Sequence, residues 1–319
     1  MAYNIGIVGA NGLIGHDIID ILGDGESGID VQTLYALTSK KQSGYELSFG
    51  DRDITTIDKD GFDYSKTDIV IYAPTTPPSK SEILNIADSG AKIIDCSGVM
   101  MFEGGKDNII CLPSARASLL LDALKPIAKY TKITDVTLTT MEATSGEGKD
   151  GMDELFNQSR KFFVTDGLEP AVFGKQIAFN LIPQVGDFMD SGQTQSEWLL
   201  SAEMKKFMHK DIKVTATCVQ APVFVGHSMA VNVECEGDIT VETAIDLWRS
   251  SPDTIVIDRM SEMEYVTPAE IPGEEAVYIS RIRDHGNIDN GLSFWCVGDN
   301  IRAGVAVKVI ETLKAISAP

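Results

Sequence analysis

Gly9, Gly12 and Gly15 recur at three-residue spacing directly after the apolar run Tyr3-Asn4-Ile5-Gly6-Ile7-Val8, and they lead into a helical pattern over 17–22. A short buried strand, a glycine turn and an amphipathic helix, in that order, restrict the fold more than any other stretch. Glycine lets the chain turn tightly and lets the turn approach a ligand closely. The helix behind it offers unpaired N–H groups and the positive end of its dipole. That arrangement suits a pyrophosphate, so the expectation is dinucleotide binding by Gly9, Asn11, Gly12, Leu13 and Ile14, against a purely structural glycine turn.

The next apolar run, 31–37, ends in Thr38-Ser39-Lys40-Lys41 and lacks the acidic residue that would hold an NAD ribose. A hydroxyl and two cations suit a 2′-phosphate, so Ser39, Lys40 and Lys41 point to NADP rather than NAD; a solvated basic loop is the bland alternative. Strands at 68–72, 92–95 and 109–112 alternate with helical patterns at 80–88 and 117–129. This predicts an α/β fold, a Rossmann-type doubly wound parallel sheet. At 109–121 an apolar strand breaks at Pro113-Ser114 into a leucine-rich helix, a junction of the kind where ligands collect in such sheets.

Past residue 130 the texture changes to longer strands, at 133–141, 213–219, 223–236, 277–283 and 292–297, with helical cover at 152–163, 197–208 and 241–250. The expected division is a dinucleotide-binding domain over 1–130, completed by a C-terminal helix at 301–319, and an α+β domain with a mixed sheet over 131–300. Composition narrows the partners. A net charge of -20 disfavours nucleic acid and anionic membrane, and no apolar run approaches the ~18 residues of a membrane span. With no basic leader at the N-terminus, a cytoplasmic protein acting on a small molecule is expected. Five cysteines without a C-x-x-C pair are expected to be buried hydrophobes in strands, and four scattered histidines suggest no metal site.

Several motifs occur in one order along the chain: the glycine turn, Ser145-Gly146-x-Gly148-Lys149, Gln176-Ile177-Ala178-Phe179-Asn180-Leu181-Ile182-Pro183, Pro222-Val223-Phe224-x-Gly226-His227-Ser228, Arg281-Ile282-Arg283 and Asp299-Asn300-x-Arg302-x-Gly304. Together they resemble bacterial aspartate-β-semialdehyde dehydrogenase. The resemblance implies an NADP-binding domain, a second domain for catalysis and dimer contacts, a homodimer, and further cofactor contacts at Ser145, Gly146 and Asn300. It also implies a cysteine nucleophile in the turn after the strand at 109–112. Counting back from Ala123-Leu124-Lys125-Pro126, that position is Ala115.

Other positions implied by the resemblance carry different residues as well: Met101 for a phosphate-binding Arg, Glu142 for a substrate-orienting Gln, Ser196 and Leu199 for a Glu and a Lys, and Gln220 for a carboxylate-binding Arg. His227 and Glu197 are kept. A longer loop is replaced by Phe102-Glu103-Gly104-Gly105, and Ala73-Pro74-Thr75-Thr76-Pro77-Pro78 replaces a glycine-containing turn. Three readings follow. The first is an NADP-dependent oxidoreductase that reduces a small carbonyl or imine without a covalent intermediate, using His227, Glu142 and Arg116. The second is a catalytically silent paralogue with a binding or regulatory role. The third is a conventional aspartate-semialdehyde dehydrogenase.

Overall fold

A computed structural model describes residues 2–103, 106–164 and 169–317, Met260 in its backbone alone. The loop expected at 102–105 and the end of the C-terminal helix therefore fall partly outside the described residues. The chain divides into two units, 1–114 with 305–319, and 115–304.

In the first unit β1 (Tyr3–Val8) runs into α1 (Leu13–Gly23) and then β2 (Val31–Thr38). A hairpin of β3 (Glu46–Phe49) and β4 (Arg52–Thr55) and a two-residue β5 (Ile57–Asp58) follow. They are two to four residues long and largely exposed, and the sequence reading missed them. Next come β6 (Ile69–Tyr72), α2 (Lys80–Asp88), β7 (Lys92–Asp95) and β8 (Ile109–Cys111). The main sheet has the order β5-β2-β1-β6-β7-β8, every neighbouring pair parallel. Helices on both faces explain why Ile69-Val70-Ile71-Tyr72 is buried throughout instead of alternating. From β1 the order runs outward both ways, to β2 and to β6. Such a switch point opens a crevice at the strands' carboxyl ends, where the glycine turn lies.

The second unit begins with α3 (Ala115–Tyr130), followed by β9 (Ile133–Glu142), α4 (Gly148–Lys161), α5 (Gln195–Phe207), β10 (Lys213–Gln220), β11 (His227–Cys235), α6 (Val241–Arg249), β12 (Thr254–Val256), β13 (Val277–Asp284) and β14 (Gly291–Gly298). These strands form a mixed sheet, β10-β9-β11-β14-β13-β12, parallel only at its two outer pairs. The first unit closes with α7 (Val307–Ser317), which packs on α1.

The boundary expected after residue 130 differs from the observed one after 114. Leu119, Leu120, Leu124 and Ile127 of α3 lie in one core with Val231, Phe294 and Trp248 of the second unit. The Trp248 indole N–H also donates to the Ala123 carbonyl at 2.7 Å. The strand expected over 223–236 starts only at His227. Pro222 has no N–H to give a ladder, and Gly226 sits at φ +101°, which turns the chain. Among the described residues no helix is long and apolar enough to cross a membrane.

Candidate functional site

In the first unit, Gly9 turns the chain at φ +91°, and a Cβ there would lie 1.9 Å from the Ala73 carbonyl oxygen. A Cβ on Gly15 would lie 2.3 Å from the Gly9 oxygen, so both positions admit only glycine. Behind the turn no side chain caps α1, and its first N–H groups remain available for an anion. Asn11 donates through Nδ2 to the Gln42 carbonyl at 3.3 Å, while its Oδ1 is buried without a partner among the described residues. That bond ties the glycine turn to the segment carrying Ser39, Lys40 and Lys41. Both lysines are exposed, and neither forms an ion pair among the described residues. The glycine cradle, the uncapped helix and the orphaned amide oxygen fit a dinucleotide, which would supply or accept a hydride when bound.

In the second unit, sheet register assembles one end of the mixed sheet. Gln220 pairs with Glu142 and His227 with Gly298, while Ser228 pairs with Met141, which brings His227 beside Glu142. Four strands thus present Gln220, Glu142, His227 and Gly298 in one row. The two-residue period of a strand places Cys218, Thr140 and Met229 in the row beneath. Near this end lies Arg116, on the first turn of α3, and its Nη1 donates to Glu142 Oε2 at 2.6 Å. Thr140 Oγ1 donates to the other carboxylate oxygen, Oε1, at 2.9 Å. Gln220 Nε2 donates to the Glu142 carbonyl at 2.9 Å. Although it stands at a helix start, Arg116 is not a solvated residue: its side chain is 14% exposed and ion-paired.

The electrostatics follow from burial and that pair. Burial on its own would raise the carboxyl of Glu142, which is 5% exposed, but the Arg116 guanidinium, with help from His227 and Thr140, holds it below its ordinary range. Burial would likewise disfavour the Arg116 cation, and the surrounding groups, Glu142 foremost with Glu203 behind it, together more than offset it. His227 is 3% exposed, and burial pushes its imidazole down to about 4 despite the attraction of Glu142. It is therefore neutral at neutral pH. The backbone N–H of Ala143 donates to its Nδ1 at 3.0 Å, which assigns the ring proton to Nε2. That nitrogen faces Gly146, where an added Cβ would lie 3.9 Å from it.

Asn300, Ser145 and Gly226 lock the turn before His227. Asn300 Oδ1 accepts from Ser145 Oγ at 3.1 Å and from the Gly226 N–H at 2.9 Å. The Asn300 side chain is thus already engaged inside this unit. Ala115 opens α3, with a methyl group where the resemblance implies a thiol. Of the other implied positions, Met101 is buried in the first unit, and Ser196 and Gln220 are buried in the second. Sequence reading missed Cys218 and Thr140. Counting back two residues from Gln220 and Glu142 along their strands would have found both. Burial pushes the Cys218 thiol up to about 12, with Glu142 adding to the effect, so it stays protonated. Of the cysteines expected to be buried in strands, Cys218, Cys235 and Cys296 are, while Cys96 and Cys111 are partly exposed.

The chain matches the family model described as semialdehyde dehydrogenase, NAD binding domain, over residues 4–128, and that of the semialdehyde dehydrogenase dimerisation domain over 124–303. It is 31% identical to an aspartate-semialdehyde dehydrogenase of Rickettsia bellii across 97% of this chain and 96% of that one. To an aspartate-semialdehyde dehydrogenase of Aquifex aeolicus it is 32% identical across 98% and 97%. Among solved structures, aspartate semialdehyde dehydrogenase II from Vibrio cholerae superposes with a TM-score of 0.93 at 28% identity, covering 100% of both chains. A nucleotide-binding parallel sheet, a mixed second sheet and end-to-end relatedness of this extent have one explanation: the chain belongs to the aspartate-semialdehyde dehydrogenase family.

Proposed function

We propose that this protein binds NADP and uses it to reduce a small carbonyl or imine without a covalent thioester intermediate. The observation that carries the reading is the Arg116–Glu142 pair at 2.6 Å beside His227. Arg116 keeps its positive charge at any working pH; a guanidinium has five N–H groups, of which Nη1 serves Glu142 and the buried Nε has no partner among the described residues. Neutral His227 offers a second donor, Nε2–H, held in one tautomer by Ala143. Two fixed donors polarise a carbonyl without a nucleophile, and Glu142 orients Arg116. A buried ion pair is poor value as a stabilising device, since replacing it with apolar groups is often neutral or favourable. Its presence here supports a ligand-directed role.

The relatives are named for a reaction that, in the family resembled, runs through a cysteine thiolate. In this chain the implied position is Ala115, and Cys218 is buried and protonated, which supports loss of that step. The preference for NADP over NAD rests on Lys40 and Lys41 beside Ser39, exposed and without an ion pair among the described residues, which suit a 2′-phosphate. The homodimer reading rests on the dimerisation-domain match and on an exposed aromatic cluster. The rings of Phe162, Phe163 and Phe179 lie 4.8–5.7 Å apart, with Phe163 79% and Phe179 60% exposed.

A second reading, a silent NADP-binding paralogue, is favoured by a separate observation. Both Glu142 oxygens are engaged and His227 titrates near 4, so neither is a strong acid poised at neutral pH. The test incubates the protein with NADPH and a panel of uncharged aldehydes, ketones and cyclic imines while the nicotinamide absorbance is followed. Aspartate semialdehyde with NADP and phosphate is run in parallel. Consumption of NADPH by a panel member, with no phosphate-dependent reduction of NADP, is expected. Tight NADPH binding without turnover of any carbonyl selects the silent reading, and phosphate-dependent turnover overturns both.

A further inference from the structure

The row at the end of the mixed sheet carries one formal charge, and it is negative. Gln220 is neutral, His227 is neutral, and Gly298 has no side chain; the guanidinium beside the row is already in contact with Glu142. Other charges acting on this pair are also acidic. Glu203, buried on α5, acts on Arg116, and Glu147, just before α4, lies close enough to Glu142 for the two carboxylates to repel. Glu142 itself is not free to swing aside, because Thr140 and Arg116 each hold one of its oxygens in a setting with almost no solvent.

From this we infer that Glu142 determines specificity: its carboxylate takes the place on Arg116 that an anionic substrate group would otherwise take, and it restricts the site to carbonyl or imine substrates lacking a carboxylate or phosphate. This rests on the proposed reading that the Arg116–Glu142–His227 end is where the ligand binds. The physical reason is exchange. A carboxylate arriving at Arg116 must displace one already bonded at 2.6 Å, so it gains little attraction and loses its own hydration. If both stay, two like charges share a poorly solvated site. An uncharged carbonyl meets neither obstacle, because it needs only the Arg116 N–H capacity left over and the His227 Nε2–H. Glutamine at position 142 would keep the side-chain shape and remove the negative charge bonded to the guanidinium, leaving only the more distant Glu203.

The experiment compares pyruvate with methyl pyruvate, which differ by one charge, and uses succinate as a non-reacting dianion. All titrations are made into NADPH-saturated protein, so that the nucleotide cradle is filled. For the wild type, methyl pyruvate is bound or consumed and neither pyruvate nor succinate gives a calorimetric signal. For Glu142→Gln, affinity for pyruvate and succinate rises about tenfold or more, and the double variant E142Q/R116M loses that gain. Wild-type protein that binds succinate, or that takes pyruvate as well as its ester, overturns the inference. So does an E142Q variant that folds, binds NADPH and gains nothing. The wild-type comparison decides even where the variant does not fold. Absence of turnover with every carbonyl counts against the reductase reading alone, because the succinate titration needs no turnover.

Discussion

The backbone N–H of Ala143 donates to His227 Nδ1 at 3.0 Å, across the β9–β11 pair, and so one tautomer of a fully buried imidazole is built into the sheet. Protonating that ring places a charge in the core and breaks the bond. The folded-state value near 4 lies below the ordinary 6.5, so the unfolded chain binds more protons between those limits, and stability falls as pH drops from about 6.5 to 4. A shift of this size corresponds to about 3 kcal/mol. Glu142 adds in the same direction, because a carboxyl held low loses its stabilising charge only on acidification. Thermal melts from pH 7 to 4 should show a steep decline for the wild type and a shallower one for His227→Gln. Parallel curves would show that another group governs the acid limb.

Arg116 and Glu142 should prove far more costly to break than to remove together. Arg116→Met leaves a buried carboxylate without its cation, a loss of about 3–5 kcal/mol. The double variant R116M/E142Q removes both charges and should recover most of that stability, giving a coupling energy above about 1 kcal/mol in urea unfolding. Additive effects would mean that the 2.6 Å contact contributes nothing in solution.

Lys40 and Lys41 should discriminate between the two nicotinamide cofactors. Replacing both with alanine is expected to weaken NADPH binding about tenfold or more, and to leave NADH binding nearly unchanged. Fluorescence titration of both cofactors against wild type and variant gives the ratio. An equal loss for the two would assign these lysines to general steering of anions.

Gly9→Ala should disable the nucleotide turn. The residue sits at φ +91°, and its added methyl would lie 1.9 Å from the Ala73 oxygen, so strain and collision act together. A loss of more than about 2 kcal/mol is expected, with NADPH binding lost in parallel. Gly25, at φ +74° with nothing within 4 Å of its notional Cβ, is the control. Gly25→Ala pays for the backbone conformation alone and should leave cofactor binding intact.

Local pattern was enough to place β1, β2, β6, β7 and β8 and the helices α1 and α2, though not the two-residue β5 or the three-residue β12. A strand buried on both faces is continuously apolar, and a helix packed on a sheet repeats every three or four residues; both signals lie within a dozen neighbouring positions. The β3–β4 hairpin escaped because its strands are four residues each and largely exposed. The start of β11 was misplaced because Val223-Phe224-Val225 has the composition of a strand. Thr144 and Ser145 instead donate to the Val223 and Phe224 carbonyls and hold them in a turn.

The glycine cradle was legible without a fold, since Gly9, Gly12 and Gly15 are near neighbours in the chain and their conformational freedom is intrinsic to glycine. That position 115 carries only a methyl group was equally plain from the sequence. The grouping of Arg116, Glu142 and His227 exists only in the folded chain. Arg116 and Glu142 are 26 positions apart, and Ala143 and His227 are 84 apart. Their meeting depends on the register of β10, β9, β11 and β14 and on how α3 lies against that sheet. Nothing in the neighbourhood of Arg116 along the chain distinguishes a solvated helix-start residue from a buried cation. The difference comes from a carboxylate delivered by another element, with too little water left to screen the two charges from each other.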